Sequence, residues 1–273
     1  MPSGTGEVVV VADGGRVAQL RPSPDLPNVL WRGDSALPLT GGNRLWLGPE
    51  WDVFYPAGPR TRDRWRCPPE LDPGSWSLAG IDGGVRLSQV ALNAEMTRRI
   101  SPLEALPVGT DLPWAGFVAD DAVSSDHRWS GWALTMTPAP SRIFVRDARD
   151  PVAIYGPEVS FENGWYAATG EGTEIKVGLP GPRDGKVVMA SLGLADPGSL
   201  VVVTCVAPPD GTYLDEPPLL DGPPTALQVY DSPDLGFCEL EHHFPYETQA
   251  TVSTVFGVWG PASERLAIVN ALA

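Results

Sequence analysis

Apolar and polar residues alternate in short runs along most of the chain, a period of two that predicts β-strands. Runs at 7–12 and 16–21 flank Asp13-Gly14-Gly15, a turn of the kind that closes hairpins, and 28–31 reads as a third strand. The stretch 41–51 opens on a glycine pair. It then sends Leu45 and Leu47 one way, while Arg44, Trp46 and Glu50 share the other parity. Pro56, Pro59, Pro68, Pro69 and Pro73 exclude a continuous central strand, so 51–75 is expected to be one long loop. Strand patterning resumes at 76–81, 85–93, 95–101 and 114–119. An acidic loop carrying Asp120, Asp121 and Asp126 is expected next, then strands at 129–137 and 142–147. The second half repeats the pattern at 174–178, 186–192, 200–206, 226–231, 237–244 and 251–259. The one helix candidate is C-terminal: Pro261-Ala262-Ser263-Glu264 starts it and Leu266, Val269 and Leu272 form its stripe, although a final strand fits as well.

On the order of fifteen strands or more are too many for one open sheet, so two packed sheets are expected. Neither a repeat of propeller type nor a dividing linker is evident, and the proline-rich stretch 208–224 reads as a loop. The expected organisation is one all-β domain over 1–273, built of two large, mostly antiparallel sheets with little helix.

Composition narrows the partners. The net charge of −15 argues against nucleic acid and anionic membranes. Cysteine is limited to Cys67, Cys205 and Cys238, without a CxxC or a disulfide-dense pattern. No signal-peptide pattern or long apolar run is present, so a cytoplasmic protein is expected. The sequence leaves the oligomeric state open.

Four stretches carry candidate chemistry. In the first, Arg44 and Glu50 are placed to hydrogen-bond a polar ring while Trp46 or Trp51 stacks on it, which suits a sugar. The alternative is a structural Arg44–Glu50 ion pair beside core tryptophans. In the second, a strand through Cys238-Glu239-Leu240-Glu241-His242-His243 puts Glu239, Glu241 and His243 on one face. That trio can supply a general base and its orienting partner, hold a divalent metal, or simply be solvated. The third, Arg60-Thr61-Arg62-Asp63-Arg64-Trp65-Arg66, either clamps an anion or docks on the acidic half of the chain. The fourth joins His127 to Trp129 and Trp132, which read most simply as core tryptophans beside a polar loop. No G-x-S-x-G, P-loop, dinucleotide fingerprint or zinc spacing occurs, and no cofactor or metal is expected.

The segment Gly41-Gly42-Asn43-Arg44-Leu45-Trp46-Leu47-Gly48-Pro49-Glu50 resembles the signature of an uncharacterised bacterial domain family neighbouring the aldose epimerases and hexose-6-phosphate mutarotases. Trp132-Ala133-Leu134-Thr135 and Glu239-Leu240-Glu241 fall where that family's later landmarks lie. The resemblance implies a galactose-mutarotase-like β-supersandwich with a sugar site on a concave sheet. It implies Glu239 or Glu241 as general base. Thr135 stands where the catalytic histidine is expected, so His243 or His127 would serve as acid. Arg44, Trp46, Glu50, Trp51 and Trp132 would bind the substrate. The expected function is therefore carbohydrate binding with epimerase-like proton transfer. A lyase, cyclase or isomerase acting on a non-sugar metabolite, or a binding module without catalysis, are the alternatives.

Overall fold

The computed structural model describes residues 1–33, 39–55, 64–146, 151–156, 160–162, 164–169, 173–215 and 224–272. Among these residues the chain forms nineteen strands, numbered here in chain order, in two sheets. The first sheet runs, in spatial order, β1 (Pro2–Ser3), β2 (Gly6–Val11), β3 (Arg16–Arg21), β4 (Asn43–Gly48), β9 (Ser130–Pro138), β18 (Phe237–His243), β17 (Leu227–Ser232), β14 (Ile175–Leu179) and β11 (Val152–Tyr155). The second runs β12 (Ser160–Glu162), β13 (Trp165–Thr169), β10 (Ser141–Arg146), β15 (Lys186–Gly193), β16 (Gly198–Val206), β19 (Ala250–Gly260), β8 (Trp114–Ser125), β7 (Ala94–Pro102), β6 (Gly84–Ala91) and β5 (Ser77–Ile81). Neighbouring strands pair antiparallel throughout, from β2–β3 to β16–β19.

The sheets face each other across one apolar layer. Leu45, Leu47, Leu240, Val229 and Val177 enter it from the first sheet, and Met96, Phe117, Met189, Val203 and Val255 from the second. The outer face of the second sheet is covered in part by a helix, Ala262–Ala271, whose Ile268 and Val269 pack with Phe256, Val258 and Leu200. Pro261 caps that helix as the sequence predicts. Its buried stripe, however, includes Arg265, which donates to the carbonyls of Gly193, Ala195 and Ser199.

Three expectations are corrected. The acidic loop does not exist: β8 continues to Ser125, and Asp121 is fully buried on it because Arg98 of β7 donates to both its oxygens at 2.8 and 3.0 Å. Residues 28–31 make no ladder. Val29 donates to Leu20 and Trp31 to Met136, so the segment bridges two strands instead of pairing along one. Strands β11, β12 and β13, between 152 and 169, are additional to those predicted.

The glycine pair ahead of β4 is required by geometry. Gly41 and Gly42 have φ of +45° and +85°, and a Cβ on Gly42 would stand 2.4 Å from the Val17 carbonyl oxygen.

Candidate functional site

Strands β4, β14, β17 and β18 are buried along their whole length, so the first sheet has two covered faces. One is the apolar layer. The other floors a cavity of about 620 Å³.

Cross-strand register decides which side chains reach that floor. Residues directly opposite one another point the same way. Met136, Glu239, Tyr230 and Lys176 form one row, Arg44, Leu134, Glu241 and Gln228 the next, and Trp46, Trp132 and His243 a third. Intervening residues such as Asn43, Thr135, Cys238 and His242 belong to the inter-sheet face. Thr135, at the position where the resemblance expects a histidine, accepts a 3.0 Å bond from Asn43 Nδ2 on that face.

Six aromatic rings line the cavity: Trp46, Tyr55, Trp65, Trp132, Tyr230 and Phe237. Four of its lining residues are ionisable in the acid–base sense: Glu50, Glu174, Lys176 and Glu239. The aromatic wall is a packed unit. Phe54 stacks on Trp65 with centroids 5.3 Å apart and meets Trp46 and Trp132 at 5.0 and 5.4 Å.

The wall holds a dense set of buried charges. Arg44 pairs with Asp72 at 2.6 Å and lies 3.7 Å from Glu239, with its guanidinium over the Trp46 ring at 4.1 Å. Lys176 lies 3.5 Å from Glu50 and 3.7 Å from Glu241. Glu50 also accepts from Trp65 Nε1 at 2.9 Å, and its backbone N–H donates to Asp215. Glu241 accepts from Trp132 Nε1 at 3.0 Å. Asp215 accepts from Gln228 and lies 3.7 Å from His243, which stacks on Trp132.

Burial dominates the titration of this set. It raises Glu50, Glu239 and Glu241 above the usual carboxylate range, and Lys176 only partly offsets the effect in each case. Glu241 is pushed up to about 8. Burial and, next, the Lys176 charge hold His243 down to about 3; burial holds His242 at about 3 as well. Both imidazoles are therefore neutral near pH 7.

These shifts predict a stability profile. An unfolded glutamate ionises near 4.5, whereas folded Glu241 keeps its proton to about 8. Stability from this group is complete below 4.5 and is lost as pH rises towards 8, at about 1.4 kcal/mol per pH unit. The histidines act oppositely: their contribution is present above 6.5 and is lost as pH falls towards 3. Urea unfolding is expected to show a maximum near pH 6. Glu241→Gln, which mimics the protonated acid, should flatten the alkaline limb and leave the acid limb in place. An unchanged alkaline limb would show that Glu241 is not the group responsible.

The residues singled out in the sequence divide clearly. Trp46, Glu50, Trp132 and Glu239 line the cavity. Glu241 and His243 share its floor but lie sealed behind Trp132 and Lys176, at 0% and 2% exposure. Arg44 is buried beneath the floor. Trp51 packs against Tyr55 with ring centroids 4.8 Å apart in a tilted arrangement and is not part of the lining. His127 is exposed in the turn after β8, beside Trp129, so its position does not fit the acid role. The alternative of an Arg44–Glu50 ion pair gives way to two separate pairs, Arg44–Asp72 and Glu50–Lys176. The reason is local: β4 stops at Gly48, and Glu50 enters from a four-residue helix, Glu50–Val53. Of the arginine-rich tract, 60–63 lies outside the described residues, and Arg64 and Arg66 are exposed. For the metal alternative at Glu239, Glu241 and His243, no cluster of three or more potential ligands occurs among the described residues.

Lys176, Asp72, Trp65 and Asp215 were not anticipated. A lysine between Ile175 and Val177, in a chain with only two lysines, was the one signal available. Asp72 and Asp215 sit in stretches that read as loops.

No family model and no curated protein matches the chain. Among solved structures it is similar to a putative aldose 1-epimerase from Escherichia coli K12, with a TM-score of 0.53 and 13% identity over 96% of this chain and 98% of that one. A galactose mutarotase-like protein from Lactobacillus casei aligns over 93% of this chain and 96% of its own at 13% identity, with a TM-score of 0.47. The fold is the galactose-mutarotase-like supersandwich. Among the described residues, no helix is long and apolar enough to cross a membrane.

Proposed function

We propose that the chain is an acid–base enzyme that binds a hydroxylated ring compound of the sugar class and moves a proton on it. The observation that carries this reading is the placement of Glu50 and Glu239 on one aromatic-walled cavity, with Lys176 on the same floor. Burial raises the pKa of both carboxyls, and the Glu50 charge raises that of Glu239 further, so the pair gives up its protons in separate steps. Such a pair supplies an acid and a base from one residue type. Glu239 is assigned as the proton-transferring base and Glu50 as its acid partner. Trp132 stacks on the ring, Trp46 meets its edge, and Glu241 acts through Trp132 and Lys176 as a positioning residue. The E. coli neighbour is a putative aldose 1-epimerase, which agrees with a sugar as ligand.

Calorimetric titration with a hexose panel should give at least millimolar binding. NMR exchange spectroscopy should show accelerated interconversion of the bound sugar's isomers. Glu239→Gln is expected to lower that rate by about 100-fold or more with less change in affinity. Absence of binding by every sugar at millimolar concentration overturns the reading. One observation favours a lyase or cyclase acting on a non-sugar metabolite: the six-ring wall offers more apolar contact than a single polar sugar uses. Binding of non-sugar rings in place of hexoses would select that second reading.

A further inference from the structure

Two features of the cavity bear on its ligand beyond the general class. The first is its charge. The described lining residues bring three carboxyl groups, Glu50, Glu174 and Glu239, and one ammonium, Lys176. Lys176 is already engaged with Glu50 and with Glu241 behind the wall. Arg44, whose guanidinium lies over the Trp46 ring, is 0% exposed and tied to Asp72. An anionic substituent entering this space would face three carboxyl groups without an arginine fork among the described residues, and a phosphate is poorly served there. A cation is well served, because carboxylates and ring faces both attract it, most strongly where water is excluded.

The second feature is an unpartnered donor. Trp46 lines the cavity at 2% exposure, and its Nε1–H has no hydrogen-bond partner among the described residues. A buried indole N–H normally finds an acceptor, and a ligand hydroxyl oxygen is of the right kind. Elsewhere on the lining, Glu174 accepts a hydrogen bond from the Tyr230 hydroxyl, and the Tyr230 ring lies 5.6 Å from that of Phe237. This corner therefore joins a carboxylate to two ring faces, the combination that recognises an ammonium group.

We propose that the cavity selects a hydroxylated ring bearing a protonated amine, an amino sugar or a cyclic amino-polyol, with Glu174, Tyr230 and Phe237 holding the ammonium and Trp46 donating to a ring hydroxyl. This deepens the reading given under Proposed function and rests on it for the ring and its hydroxyls. The amine selectivity stands on the charge and aromatic content of the wall alone.

Matched calorimetric titrations at pH 6.5 test it. For each hexose configuration four probes are compared: the hexosamine, its N-acetyl derivative, the parent hexose and the hexose 6-phosphate. The hexosamine is expected to bind about tenfold or more tighter than the other three, with the phosphate weakest. Equal or tighter binding of a neutral or phosphorylated probe overturns the amine assignment and leaves the sugar reading standing. If no hexose binds, the sugar reading fails, and piperidine and cyclohexylamine decide the amine assignment against cyclohexanol. Preference for the amines upholds the assignment, and indifference ends it. Glu174→Gln should reduce the preference for hexosamine over N-acetylhexosamine to less than about threefold, with the melting temperature as a check on folding. An undiminished preference in a folded variant overturns the role of Glu174.

Discussion

Arg98→Met is expected to destabilise the protein by about 3–5 kcal/mol in urea unfolding at pH 7. Arg98 is fully buried on β7. It donates to both oxygens of Asp121, to the carbonyls of Gly15 and Asn43, and to the Asn43 side chain at 2.6 Å. Asn43 begins β4 and Gly15 immediately precedes β3, both in the first sheet, so one guanidinium ties the second sheet to the first. Methionine preserves much of the volume but leaves the Asp121 carboxylate buried without its cation. Burial already raises the Asp121 pKa, with Arg98 the main opposing influence. The variant should therefore be relatively less impaired at low pH, where Asp121 protonates. The double variant Arg98→Met, Asp121→Leu should recover most of the loss, since two apolar side chains of similar size remove both buried charges together. A single-variant loss below about 1 kcal/mol would reduce the pair to a minor contact.

That pair also clarifies the segment Gly41–Glu50. Asn43 accepts from Arg98 and donates to Thr135, and the glycines before it allow a close approach to the Val17 and Trp31 carbonyls. Much of the motif therefore serves the framework. Only Trp46 and Glu50 from it face the cavity.

The strand pattern was legible because period-two alternation is a local property. Sixteen to twenty-one and most later strands fall within one or two residues of where alternation places them. Alternation also put Glu239, Glu241 and His243 on one face, and register then set that face beneath the cavity. The acidic loop was misread because Asp121, beside the exposed Asp120, looks solvated until Arg98 arrives from a neighbouring strand. The site's partners were illegible for the same reason. Arg44 and Asp72 are separated by a stretch of sequence that carries five prolines, and Lys176 meets Glu50 across 126 positions of sequence. Burial follows from such long-range closure, and with it the elevated carboxyl pKa values.

Lys176→Met should have the largest effect on proton transfer. Lys176 is the shared cation of the site, and its charge lowers the pKa of Glu50, Glu239 and Glu241 against the burial that raises all three. Without it each carboxyl holds its proton to higher pH. A base that is protonated at neutral pH cannot accept another proton, so turnover at pH 7 should fall about 100-fold. The alkaline-rising limb of the rate profile should move up by about one pH unit or more. Carbon-13 titration of the glutamate side chains provides a readout independent of turnover and should show the same upward displacement. Lys176→Arg, which keeps the charge, should restore much of the titration while leaving turnover impaired, because the planar guanidinium does not reproduce the compact ammonium between Glu50 and Glu241. If the carboxyl titrations of Lys176→Met match those of the wild type, the lysine does not set the protonation of the site, and the division of acid and base roles between Glu50 and Glu239 falls with it.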